Sequence, residues 1–197
     1  MRVAVFCIAC VASVPVAAQA ACPTADNLRK GAIVFTVDGE AEVHTRAPNG
    51  VVTVLSEPDA EGVAVRSILA HGVHVLQLAD LIDGVVDHQT VWRFAFTLPQ
   101  DQLPTPTPNA TWQVGSTAYI DGTAEDEKIQ HTWGPLGQYT IGACTYAAIP
   151  VRADYDGEEY DHVEEMIYFS DLGTAILTSY SDVEGRESYT YTDIRAR

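Results

Sequence analysis

Apolar and polar residues alternate along most of this chain with a period of two, the signature of half-buried β-strands. "TVWRFAFTL" sets Trp92, Phe94, Phe96 and Leu98 on one face and Arg93, Ala95 and Thr97 on the other. "TWQVGSTAYI" groups Trp112, Val114, Ala118 and Ile120. "EKIQHTW" groups Ile129, His131 and Trp133. "EAEVHTRA" sets Ala41, Val43, Thr45 and Ala47 against Glu40, Glu42, His44 and Arg46, so the first set is expected to face inward. "YTIGACTYAAIPV" is apolar on both faces and reads as one long central strand. "MIYFS", "TAILTSYS" and "ESYTYTDI" add three more. "SILAHGVHVLQLADLI" has the length of a helix, but Gly72 and its valines argue for strands.

Between these runs stand turn dipeptides. Asp38-Gly39 and Asn49-Gly50 separate alternating segments, the strongest short hairpin signal. Glu61-Gly62, Asp83-Gly84, Asp121-Gly122, Asp156-Gly157 and Glu184-Gly185 repeat the device. The expected fold class is therefore all-β: an antiparallel meander of eleven or twelve strands, forming a strongly curved sheet, a half-barrel or a sandwich. One stretch breaks the rhythm. "LPQDQLPTPTPNATW" holds Pro99, Pro104, Pro106 and Pro108, which excludes a central strand and predicts a surface connection over about 99–109.

The first twenty residues change the picture of where the protein works. Arg2 is followed by an apolar run from Val3 to Val14 and a small-x-small site, Ala18-Gln19-Ala20, the order of a secretory signal peptide. The run is too short to span a bilayer. The expected organisation is a leader over 1–20 and one β-rich domain over 21–197. Gln19 stands where a lipobox carries a Leu-like residue, so Cys22 reads as an ordinary cysteine. Cys7 and Cys10 leave with the leader, and Cys22 with Cys144 is expected to form one disulfide in an oxidising compartment. Arg outnumbers Lys, and Ala and Val are abundant, which suggests a GC-rich bacterial genome and hence the periplasm of a Gram-negative cell.

The chain's formal net charge is −16. Nucleic-acid binding needs a cationic footprint that is missing here. An anionic membrane surface would repel the chain as well. The mature sequence carries no transmembrane segment.

Candidate chemistry begins with "DYDGEEYDHVEE", Asp154 to Glu165, with seven carboxylates and one His. An EF-hand loop wants Gly at position 6, whereas Gly157 falls at position 4. Alternation sends neighbouring carboxylates to opposite faces, so a solvated hairpin tip is the expected reading, with loose cation binding as the alternative. His71 and His74 are spaced for opposite faces of a strand, and no HExxH or mature CxxC is present. His131 reads as a core or surface histidine. Ser116 lacks the downstream Gly of a nucleophile elbow. Glycine-rich phosphate loops are missing. Asn109-Ala110-Thr111 is a glycosylation sequon that would matter only in a eukaryotic secretory route. No catalytic, metal or cofactor residues are assigned. Trp92, Phe94, Phe96, Trp112 and Trp133 are the candidate ligand-facing set, since curved sheets hold small apolar ligands. Their alternative role is core filling.

The C-terminal half resembles a pattern of uncharacterised bacterial exported β-sheet proteins. Its pieces are "PTPNATW", "IGACTYAAIPV", an acidic hairpin, "IYFSDLGTAIL" and "SYTYTDI". The resemblance implies export and a β fold, and transfers no catalytic residues. Lipocalins differ, because "KGAIVF" lacks their Gly-x-Trp. Outer-membrane barrels differ too, since this chain ends "DIRAR" and its strands lack a uniform apolar outer band.

Three functions remain as expectations. The first is a non-enzymatic envelope-associated binding or accessory protein with an envelope protein as partner. The second is a periplasmic carrier of a small apolar ligand or lipid, which requires a cavity. The third is an enzyme using Asp154, Asp156, Asp161 and His162, which requires those side chains to converge in one cleft.

Overall fold

The computed structural model describes residues 21–157 and 161–197. The leader reading of residues 1–20 lies outside the described residues, as does the centre of the acidic tip. Fifteen antiparallel strands form one strongly curved sheet. They are β1 (Ile33–Val37), β2 (Glu40–Arg46), β3 (Val52–Ser56), β4 (Val63–Ala70) and β5 (His74–Ile82). Then come β6 (Val85–Val86), β7 (Trp92–Phe96), β8 (Thr111–Ile120), β9 (Thr123–Trp133) and β10 (Gly137–Ile141). The last are β11 (Cys144–Asp156), β12 (His162–Phe169), β13 (Thr174–Ser181), β14 (Arg186–Ser188) and β15 (Tyr191–Ala196). Neighbours in sequence are mostly neighbours in space, as a meander requires.

Three Asp-Gly dipeptides form two-residue hairpins, whereas Asp156 of Asp156-Gly157 still belongs to β11 and pairs with Lys128. Val37 pairs with Glu40, Ile82 with Val85 and Ile120 with Thr123. Between each pair, an Asp and a Gly both take positive φ, the requirement of the two-residue turn that matches strand twist.

Four elements depart from the pattern. "YTIGACTYAAIPV" is two strands, because Gly142 at φ +56° turns the chain between Ile141 and Cys144. "ESYTYTDI" is also two: β14 pairs with β13, and β15 pairs with β1 at the opposite end of the sheet. A short helix, α1 (Ala25–Lys30), precedes β1. Thr24 N–H donates to Asn27 Oδ1 (2.9 Å) at its start, and six residues are too few to show a helical period. Finally, His71 and His74 do not share a strand, since His71 occupies the β4–β5 turn at φ +51°.

The C-terminal segment bridges the two ends of the sheet. Tyr189 N–H donates to Thr178 O on β13 (3.0 Å), and Asp38 N–H donates to Thr190 O at the end of β1 (3.0 Å). The Cys22–Cys144 disulfide, with Cα atoms 5.6 Å apart, ties the segment before α1 to the start of β11. Tyr146 O–H donates to Pro23 O beside it (3.1 Å).

The curvature brings opposite walls face to face. One apolar core joins Phe35, Ile33 and Val52 to Phe169, Ile176, Tyr146 and Ile194, with Leu28 of α1 fully buried in it. A second joins Val114, Ile129 and Trp133 to Val151, Ala153, Tyr155 and Met166. A turn-to-turn contact pins the walls together. Ala175 N–H donates to Gly72 O (2.8 Å), and the Arg46 guanidinium reaches the carbonyls of Leu172 and Gly173.

Candidate functional site

Strand β2 faces the interior with the side opposite to the one its apolar residues predict. His44 is 1% exposed, and Glu42 and Arg46 flank it on the same face. The buried ring has a partner at each nitrogen. Nε2 lies 2.7 Å from Glu42 Oε1 and Nδ1 lies 2.9 Å from Thr174 Oγ1. With Nε2 donating to the carboxylate, Nδ1 accepts from the threonine hydroxyl. Tyr191 O–H also donates to Glu42, at 3.3 Å. Burial, then the neighbouring Glu42 carboxylate, push the Tyr191 phenol far above its ordinary value. The inverted face is tolerated because every polar group on it but Arg46 Nε is answered.

Beside this seam lies a cavity of about 280 Å³ between β2–β5 on one wall and β12–β13 on the other. Val54, Leu69, Val75, Leu78, Met166 and Leu177 supply its apolar lining. Glu42, His44 and Glu164 supply polar edges, and Val65, 46% exposed, stands at its rim. A narrower lobe of about 110 Å³ shares Val75, Leu78, Glu164 and Tyr180 with it. Trp92, Phe94, Ile120, Glu127, Tyr155 and His162 complete that lobe.

Two β-bulges shape the walls. Ile68 pairs with Gln77 but Leu69 with Val75, leaving Leu76 as an extra residue. Glu165 pairs with Ser179 but Met166 with Leu177, leaving Thr178 extra. A bulge shifts the alternation by one and bends the strand. Val75 and Leu78 thereby share the inner face, as do Leu177 and Tyr180. The cavity opens where both walls bend.

The narrow lobe gathers ionisable groups. Glu127 is 7% exposed, and its Oε1 has no hydrogen-bond donor. Burial raises its pKa, against a smaller opposing pull from Ser116 and then His162. Glu164 is half-buried and faces the lobe, and it accepts the Tyr155 hydroxyl (3.0 Å). Burial raises its pKa too, opposed by His162 and by that hydroxyl. The His162 ring stacks between Tyr155 (4.0 Å) and Tyr180 (5.2 Å).

The aromatic candidates divide into two groups. Trp92 and Phe94 line the narrow lobe. Phe96, Trp112 and Trp133 surround a pair of buried histidines instead. His74 lies 4.9 Å from His131, 5.2 Å from Trp112 and 5.9 Å from Phe96, and Trp133 lies 6.5 Å from His131. The Pro-rich connection caps this cluster: His74 Nε2–H donates to Pro104 O (2.7 Å), and Leu103 and Pro106 are buried. The connection is thus more than a surface link, because it closes the core over His74. Burial lowers the His74 pKa to about 4. Burial, then repulsion from His74, lowers that of His131 to about 3.

The acidic-hairpin candidates Asp154, Asp156, Asp161 and His162 line one open groove of about 350 Å³. Tyr155 pairs with His162, so those two share the inner face while Asp154 and Asp156 leave by the outer one. Asp154 is engaged by Arg152 (2.5 Å) and Asp161 accepts Gly157 N–H (3.0 Å). No group of three metal-ligating side chains occurs among the described residues.

Glu42 and Glu127 were not among the sequence candidates, and Glu164 was one only as part of the acidic stretch from Asp154 to Glu165. Strand parity points to two of them: Glu127 is one step before Ile129, His131 and Trp133, and Glu164 is one step before Met166.

No protein-family model matches the chain, and no curated protein does. Among solved structures, the chain is similar to the hypothetical lipoprotein YmcC from Escherichia coli K12. The two are 8% identical, with a TM-score of 0.46, over 82% of this chain and 87% of that one. No helix among the described residues is long and apolar enough to cross a membrane.

Proposed function

We propose that this protein is an exported, non-enzymatic binding protein of the cell envelope that holds a small ligand with an apolar body between the walls of its sheet. The observation that carries this reading is the cavity of about 280 Å³ lined by Val54, Val75, Leu78 and Leu177, which remain only partly buried. Apolar side chains left half-covered inside a wall are stabilised by an apolar occupant, at about 25 cal/mol for each Å² removed from water. The volume lies at the lower end of the range for small-molecule sites, which favours a compact ligand. The disulfide, the leader-like residues 1–20 and the acidic surface support a periplasmic home in a Gram-negative cell.

The test is native mass spectrometry of protein purified gently from the periplasm of its own host. A co-purifying small molecule is expected, and Leu78→Trp, which fills the cavity, should release it while leaving the circular dichroism spectrum unchanged. In parallel, the neutral fluorophore N-phenyl-1-naphthylamine should bind the wild type and not the filled variant. A bare chain that also ignores the fluorophore would overturn the carrier reading and leave a protein-binding accessory role.

A further inference from the structure

The narrow lobe has a chemical preference of its own. Its two inward carboxyls approach from different strands, Glu127 from β9 and Glu164 from β12. Tyr155 answers Glu164, whereas Glu127, 7% exposed, has only the Ser116 hydroxyl opposite it on β8, and neither Glu127 Oε1 nor Ser116 Oγ reaches hydrogen-bonding geometry. An unanswered buried carboxyl oxygen is destabilising, because it has given up its water and gained no donor. No Lys or Arg lines either lobe. His162 and Tyr155 stand beside the carboxyls, and Trp92, Phe94, Ile120, Val75, Leu78 and Tyr180 complete the lobe.

We propose that this lobe receives the ammonium head of a small amphiphilic amine, held between Glu127 and Glu164, while the ligand's aliphatic body fills the wider lobe against Val75, Leu78 and Leu177. This rests on the carrier reading and adds the class of ligand. An ammonium has three N–H donors and no acceptor. It supplies the donor that Glu127 Oε1 lacks and still has one for Glu164. It also adds positive charge between the two carboxyls, beyond what His162 in the same lobe supplies. Aromatic faces such as those of Trp92 and Tyr180 attract organic cations in addition. A carboxylate head would meet two carboxyls and a chain of net charge −16. An alcohol head brings one donor and no charge.

The experiment compares three probes of equal chain length, octylamine, octanol and octanoate, by isothermal titration at pH 7 with the intact exported protein. Octylamine should bind about tenfold or more tightly than octanol, the scale of a charge-assisted hydrogen bond, and octanoate should bind weakest. Glu127→Gln and Glu164→Gln should each erase most of the amine preference, read as the ratio of octylamine to octanol affinity in the same variant. Thermal melts establish that both variants fold; if either does not, the wild-type ranking alone decides. Octanol or octanoate binding as tightly as octylamine overturns the amine assignment while keeping the carrier. Amine preference that survives in both folded Gln variants overturns the carboxyl placement. Failure of all three probes to bind sinks the carrier reading itself.

Discussion

His74 and His131 make the fold sensitive to acid through their neutral forms. Each is 1% exposed, and burial holds their pKa values at about 4 and about 3. An unfolded histidine titrates near 6.5. Between pH 6.5 and 4 the unfolded chain therefore binds more protons than the folded one, and stability falls as pH falls. The slope is about 1.4 kcal/mol per pH unit for each histidine. Glu127 and Glu164, whose pKa values are raised, act in the opposite sense above the ordinary carboxylate value. The difference between wild type and His131→Phe isolates the histidine contribution. Urea unfolding at pH 6.5, 5.5 and 4.5 should show the variant losing less stability, by about 1 kcal/mol per pH unit. Parallel profiles for the two proteins would refute the assignment. At this scale the sequence is half legible. Glu127 shares parity with the apolar face of its strand, but nothing local says that His44 faces inward. Its partner Thr174 lies 130 residues away.

Elements were legible wherever local chemistry decides them. Asp-Gly dipeptides mark three two-residue hairpins because both residues must take positive φ. The split of β10 from β11 hid within an unbroken apolar run, with Gly142 as the sole marker. The bulges at Leu76 and Thr178 leave no local trace, since they exist only relative to the partner strand. The same distinction separates two glycines. Gly39 sits at a hairpin tip with φ +95° and open space around it. Gly72 has φ +71°, and a Cβ there would lie 2.6 Å from Gly173 O on the opposite wall. Gly39→Ala should cost about 1–2 kcal/mol, the strain of a left-handed backbone. Gly72→Ala should cost more, because the turns must also separate. Equal shifts in urea midpoint for the two variants would show that the wall-to-wall contact contributes nothing.

Across the whole molecule, the meander and its curvature follow from alternation and turns, whereas the strap that links the two ends of the open sheet does not. "ESYTYTDI" reads as one strand because its alternation is continuous, yet it leaves one end of the sheet and joins the other. The disulfide supports that link. It links residues 122 apart in sequence, and a loop of that size restricts the unfolded chain by about 4–5 kcal/mol in the chain-entropy model. Replacing both cysteines by serine should lower the unfolding free energy by about 2–5 kcal/mol. Intact-mass analysis should show the wild type two hydrogens lighter than its reduced form. Two alkylatable thiols in native protein would refute the bridge.

The bridging C-terminal segment also sets the order of events as the chain folds. Strand β1 emerges early but lacks its outer partner until β15 arrives, and the contact between Asp38 and Thr190 spans 152 residues. Pairings of such long range form slowly, because the loop must close before the contacts reward it. Until then the edge of β1 is a naked template for any other extended chain. A nascent molecule is thus most exposed to misassembly in the interval before its last strand docks, and that interval is when a chaperone has something to hold.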